Sequence, residues 1–212
     1  MIYLSRLQLN PQSRMVQREL NSPYQLHRTI MRGFTLPREA AGVLYRLEVD
    51  PHTGSAELLV QSSITPNWTP LADVGQGYYL LTPPESKAVD VDIPTGRSLR
   101  FRLRANPTIK KTRDNRHSNR VPFKREEEQL DWLAQRALPA GFAVQEAFVR
   151  DEREYTDRTG QAGETRHRFT LYTVLFEGRL QVTDAPAFAA AWQYGIGPAR
   201  AFGCGLLSLA SA

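Results

Sequence analysis

Tyr24 and His27 are the residues best suited to proton chemistry in this 212-residue chain. They stand three apart, and residues i and i+3 of a helix share a face, so a phenol and an imidazole could reach one bond. An imidazole with an ordinary pKa of about 6.5 donates or accepts a proton near neutrality. A phenol, at about 10, is better suited to orient a hydroxyl or to hydrogen-bond an anionic oxygen. By itself Tyr-x-x-His is a weak motif, because a half-buried aromatic beside a surface histidine satisfies it equally. His52, His117 and His167 make no metal-type spacing with His27 or with one another, and the single Cys204 excludes an internal disulfide and a cysteine-rich zinc site. No metal site and no small-molecule cofactor are expected.

A partner for such chemistry is suggested by the charge distribution. The net charge is only +5, yet residues 97–120 hold nine Lys or Arg against the single acid Asp114, which leaves the rest of the chain near −3. A local positive field on an otherwise ordinary surface fits a polyanion footprint, or else a solvated basic loop. In Arg100-Phe101-Arg102-Leu103-Arg104 the side chains of a strand would alternate, with the three arginines on one face. Phosphates satisfy such a face through bidentate guanidinium contacts. An inter-domain salt-bridge face would satisfy it as well. Lys110, Lys111 and Arg113 follow in a long polar segment, 108–120, with little to bury, read as a loop that orders on its partner. Arg150 to Arg168, with Arg158 and Arg166, reads as a projecting β-hairpin diluted by acids, either solvated or inserted into a groove.

Near the C-terminus, Gly195-Ile196-Gly197-Pro198-Ala199-Arg200 through Phe202-Gly203-Cys204-Gly205 follows a helix and opens a strand. A dinucleotide fingerprint has the reverse order, which excludes a nucleotide cofactor. Gly195 and Gly197 would let backbone approach a phosphodiester closely, with Arg200 adding charge, although a tight turn before the last strand explains the glycines too.

Elements must hold these residues together. Ile2 to Leu9 reads as a strand, and Ser22-Pro23 as a helix start whose stripe is Leu26, Ile30 and Phe34. Strands are expected at 42–49, 56–62 and 77–82, and a proline-punctuated linker at 83–96. Beyond it the order is strand 98–105, helix 124–138, strand 141–150, strand 167–182, helix 185–193 and strand 206–209. That β-α-β-β-α-β order is ferredoxin-like, and the first half could be a degenerate copy. The expectation is an α+β protein of two tandem ferredoxin-like, RNA-recognition-motif-like domains, 1–94 and 95–212, a fold that commonly offers an open sheet face to RNA. With neither a signal-peptide core nor an 18-residue apolar run, the chain is expected to be cytoplasmic, with no membrane partner.

Several stretches together resemble the CasE family, the precursor-CRISPR-RNA endoribonucleases of the type I-E Cascade complex. They are Tyr3 to Pro11, Pro23 to Thr29, Phe101 to Pro107, Leu175-Phe176-Glu177-Gly178, Gly195 to Gly197 and Phe202 to Ser208. The resemblance spans the chain in order. It implies tandem ferredoxin-like domains, metal-independent cleavage at the 3′ base of the CRISPR repeat hairpin RNA, retention of the product, and other Cascade subunits as partners. It maps the catalytic pair onto Tyr24 and His27, and Arg32 onto a position where relatives can carry lysine near the scissile phosphate. Cys204 is an unusual occupant between two loop glycines.

RNA carries its own nucleophile, so such an enzyme need only align a 2′-OH with the next phosphorus, move protons and stabilise charge, leaving a 2′,3′-cyclic phosphate and a 5′-OH. The competing reading is a non-catalytic hairpin-RNA-binding subunit of a ribonucleoprotein complex. A weaker third is an enzyme acting on a small molecule.

Overall fold

A computed structural model of the chain describes all residues except 75–77, 91, 114–116 and 161–166, and for 111–113 and 117–119 it describes the backbone only. Strand β1 (Ile2–Leu9) lies between two antiparallel neighbours. Two helices follow it, α1 (Arg14–Leu20) and α2 (Pro23–Met31). After the short turn α3 (Arg38–Ala41) come β2 (Leu44–Val49) and β3 (Ala56–Ser62), then a second short turn α4 (Thr69–Ala72) and β4 (Glu85–Val89). The first sheet has the order β2-β3-β1-β4. Its core is Leu7, Leu9, Leu58 and Val60 under Val16, Leu26 and Ile30.

The second half repeats the plan. Strand β5 (Ser98–Ala105) leads through β6 (Thr108–Arg113) and β7 (His117–Pro122) to α5 (Glu126–Ala137). Then come β8 (Phe142–Arg158), β9 (Arg168–Val182), α6 (Ala185–Tyr194), a 3-10 turn (Arg200–Phe202) and β10 (Leu207–Ser211). The second sheet, β10-β5-β9-β8, has the same fourth-first-third-second strand order as the first, so both halves are ferredoxin-like. A separate core of Phe101, Leu103, Phe142, Phe176 and Trp132 fills it.

Three expectations need correction. Residues 78–82 form no strand: Leu80 makes a single bridge to Leu9, and the fourth strand is β4, inside the stretch expected to be linker. β4 is an edge strand with mostly exposed side chains, so its backbone pairs with β1 while its residues show no apolar alternation. The segment 108–120, expected to be a loop, pairs as β6 with β7. Its one apolar pair, Ile109 opposite Val121, is exposed, so no buried alternation marks the hairpin in the sequence. The helix α1 carried no clear stripe in seven residues, of which only Val16 and the acid Glu19 are buried.

The halves meet along β2, whose residues alternate between two environments. Tyr45 faces the first core, whereas Arg46, 2% exposed, reaches into the second half. Its guanidinium donates to the carbonyls of Arg102 (3.2 Å) and Leu206 (3.4 Å), to Ser208 Oγ (3.0 Å) and to Glu48. Gln61 on β3 adds donations to the carbonyls of Trp192 and Gln193.

Candidate active site

Helix α2 carries Tyr24 in its first turn and His27 one turn on. Its start is fully satisfied: Pro23 needs no partner, Gln25 N–H donates to Ser22 Oγ (3.2 Å) and Leu26 N–H to the Ser22 carbonyl (3.0 Å). Tyr24 N–H donates to Asp157 Oδ2 (3.0 Å), an acid contributed by β8 of the other half. Leu26 and Ile30 are buried and fix the face of the helix, so Tyr24 and His27 lie only partly covered beside the seam.

The His27 ring stacks on Tyr45 with centroids 6.5 Å apart and planes 16° from parallel. Its Nδ1 is enclosed with no hydrogen-bond partner among the described residues, which leaves Nε2 as the nitrogen able to meet an outside ligand. Burial, and then the nearby Arg38 guanidinium, hold the imidazole below its usual pKa, against a smaller opposing pull from Glu39. Near neutrality it is therefore uncharged and ready to accept a proton.

Tyr45 also ties this helix to the glycine-rich segment. Its hydroxyl lies 3.0 Å from the Ala201 carbonyl and 3.3 Å from that of Pro23. Burial keeps the phenol un-ionised. The segment from Gly195 to Gly205 closes on itself through Ile196 N–H to the Gly205 carbonyl (3.0 Å) and rests on β5 through Gly205 N–H to the Arg104 carbonyl (2.8 Å). Gly195 and Gly197 both have φ of +81°, and a Cβ would come within 2.8 Å of Leu44 at the first and 2.9 Å of Trp132 at the second. Only glycine fits both positions. Cys204 is buried behind the loop, where burial pushes its thiol up to about 12, so it acts as a small neutral filler.

Arg200 donates from Nε to the Gly197 carbonyl (3.0 Å). Together with Arg38, Glu39 and loop residues 197–202 it lines a surface pocket of about 370 Å³. Partial burial, and then the proximity of Arg38, lower the Arg200 pKa, as expected for two guanidinium groups sharing one small space. Such a pair attracts an anion between them. Arg38 and Asp157 were not singled out from the sequence. Arg38 sits in an exposed-looking Pro-Arg-Glu turn, and Asp157 is one of several acids in a hairpin, so only tertiary contact distinguishes them.

The remaining sequence candidates are scattered. Arg32 is exposed at the end of α2, and its charge acts on Glu19 and Tyr79, whereas the cation acting on His27 is Arg38. Arg102 is held by Glu48 (2.7 Å) and Glu177, and Arg104, 6% exposed, by Asp151 (2.5 Å) and Thr173 (3.1 Å). Two of the three arginines on this face of β5 thus meet protein carboxylates, which is the salt-bridge alternative to a phosphate track, while Arg100 is exposed and donates to the Ser211 carbonyl (2.9 Å). Lys110 is exposed on β6. Lys111 and Arg113 share that strand, with side chains outside the described residues, as is all of Arg166. Arg158 is exposed at the end of β8, whose inner residues Asp151, Arg153, Tyr155 and Asp157 alternate with outward ones.

A larger groove of about 750 Å³ lies on the opposite side of β2, lined by Arg46, Arg102, Phe148, Arg150, Glu177 and their neighbours. Neither Tyr24 nor His27 lines the groove or the smaller pocket, but Arg38, the cation acting on His27, lines only the smaller one.

The model of a family described as CRISPR associated protein matches residues 2–211. The chain belongs to this family. Two curated relatives agree. The CRISPR-associated endoribonuclease Cse3 of Thermus thermophilus is 34% identical over 99% of this chain and 100% of the relative, and the Cascade subunit CasE of Escherichia coli is 36% identical over 88% and 91%. This CRISPR-associated chain also superimposes on Thermus thermophilus Cse3 bound to an RNA representing a pre-cleavage complex, with a TM-score of 0.81, 32% identity and coverage of 99% and 98%. CasE membership and the tandem ferredoxin-like fold stand together. Among the described residues no helix is long and apolar enough to cross a membrane.

Proposed function

We propose that the chain is a CRISPR-repeat endoribonuclease that cuts RNA by 2′-OH attack at a site made of His27, Tyr24, Arg38, Arg200 and the glycine-rich loop. The observation that carries this reading is the desolvated His27, with Nδ1 enclosed, within the field of Arg38, which lines a small pocket together with Arg200 from the other half of the chain. Neutral His27 accepts the 2′-OH proton through Nε2. The O2′–P bond forms as the P–O5′ bond breaks, the departing 5′-oxygen takes a proton from water and His27 returns its proton to solvent, so a 2′,3′-cyclic phosphate and a 5′-hydroxyl result with no net proton change. Arg38 and Arg200 stabilise the added charge on phosphorus, and Tyr24 orients the nucleophile or a phosphate oxygen. No step calls for a metal.

The RNA lies across the α2 side of the seam, with Arg158 of the β8–β9 arm and Lys110 of the β6–β7 hairpin as flanking phosphate contacts. By analogy with the relatives, the substrate is the repeat hairpin of precursor CRISPR RNA, cut at its 3′ base. The product remains bound within a complex with other Cascade subunits. Incubation of protein with a repeat-hairpin RNA in EDTA tests this. Cleavage is expected, blocked by a 2′-deoxy nucleotide upstream of the cut, and an intact RNA would sink the reading.

A further inference from the structure

The long arm formed by β8 and β9 touches both parts of the candidate site. Phe169 on β9 stacks on Phe202 at the end of the glycine-rich loop, with centroids 4.9 Å apart. Directly opposite Phe169 in the ladder stands Asp157 on β8. One of its oxygens, Oδ2, accepts both Tyr24 N–H at 3.0 Å and Ser22 Oγ–H at 2.8 Å, while Oδ1 accepts the amide of Arg158 at 2.7 Å. Ser22 Oγ in turn accepts Gln25 N–H. Asp157 therefore occupies the start of α2, where free amide donors and the positive end of the helix favour a carboxylate. The unusual point is its origin, since the capping acid comes from 133 residues away along the chain, on the next residue before Arg158.

We infer that Asp157 is a positioning residue for cleavage, a link through which the arm fixes the first turn of α2 and so the placement of Tyr24 and His27. The inference rests on the endoribonuclease reading above. Asp157 touches neither RNA nor reacting atoms: it acts through the backbone of Tyr24. The register of Tyr24 against the glycine-rich loop is set on one side by Asp157 and on the other by the Phe169–Phe202 stack, so one arm spaces the two walls of the site. In-line attack tolerates little error, and displacing a catalytic group by about 1 Å costs up to about 100-fold in rate. The expected signature is a loss in the chemical step without a loss in RNA binding.

The test is single-turnover cleavage of a repeat-hairpin RNA in EDTA at saturating protein, alongside the Kd for a 2′-deoxy version of the same RNA that cannot be cut. Asp157→Ala is expected to slow cleavage about 10- to 100-fold while leaving the Kd within about twofold. Asp157→Asn, which keeps an acceptor for Tyr24 N–H, is expected to recover most of the rate. Ser22→Ala removes one of the two donors to Asp157 and the cap of Gln25 N–H but keeps the Tyr24 N–H bond to Asp157, and should give a smaller loss of the same kind, which keeps the test open if Asp157→Ala fails to fold. Wild-type cleavage rates in Asp157→Ala would overturn the inference, as would a loss confined to Kd or an Asn variant as slow as the Ala variant. A wild-type protein that leaves the RNA intact would instead overturn the nuclease reading itself, so the two failures are distinct.

Discussion

Strand β2 separates two arginine-rich regions that have opposite character. On the Arg46 side, a wide groove collects five arginines, of which Arg46, Arg102, Arg150 and Arg179 each meet a carboxylate of Glu48, Glu177 or Glu146, while Arg100 donates to the Ser211 carbonyl. On the Tyr45 side, the pocket is half the size, yet Arg200 has no carboxylate partner among the described residues and Arg38 has only the solvent-exposed Glu39. Four of the five arginines in the larger region are thus matched by the protein's own acids, whereas in the smaller one Arg200 is matched by none among the described residues and stays available to a ligand. A count of cations does not locate a polyanion site. What matters is whether protein acids have already satisfied them.

The sharpest way to test this contrast is at His27. His27→Ala should lower cleavage by about 10² to 10⁴, with hairpin-RNA affinity nearly unchanged, as read from single-turnover rates and filter binding. On the groove side, Arg46→Ala takes one of the two cations from Glu48, which keeps Arg102, and strips three acceptors at the seam of their donor, so a loss of about 1–3 kcal/mol of stability is expected in urea denaturation. Arg200→Ala should slow cleavage by about 10² through lost charge stabilisation. Arg102→Ala makes the matching probe in the groove: about 1 kcal/mol or less of stability, and cleavage and RNA affinity as in the wild type. Were Arg102→Ala to impair cleavage as much as Arg200→Ala, the division between the two sides would break down.

The smallest expected effect is on pH dependence. Accepting a proton requires neutral His27, so the rate of the free enzyme falls as pH drops through the imidazole pKa. Because burial and Arg38 lower that pKa, the acid limb of kcat/KM should lie below about 6.5, the value of an exposed histidine. Arg38→Gln removes a neighbouring positive charge and should move the limb upward, beyond whatever it does to the rate itself. An unmoved limb would show that the Arg38 field does not reach His27.

Much of the architecture was legible because it rests on local chemistry. Ser22-Pro23 announces α2, and the second half's alternating apolar runs and helical stripes give its β-α-β-β-α-β order, with β8 running eight residues past its expected end at 150. β4 and the β6–β7 hairpin escaped because strands without a core beneath them show no apolar alternation. The weight of the Tyr24–His27 pair was readable only through its company along the chain.

By itself, then, the sequence determined which residue types were available: a histidine one helical turn from a tyrosine, a glycine run able to take positive φ, and an excess of arginine between 97 and 120. The tertiary structure alone decided what each charge does. Arg102 and Arg104 pair with Glu48, Glu177 and Asp151, residues distant in sequence, and Arg38, Arg200 and Asp157 converge on α2 from three separate stretches. The physical reason is that a charge is neutralised, or left free, by neighbours in space, and those of Arg104 and Arg102 stand 47, 54 and 75 residues away along the chain, on strands whose pairing no local pattern encodes.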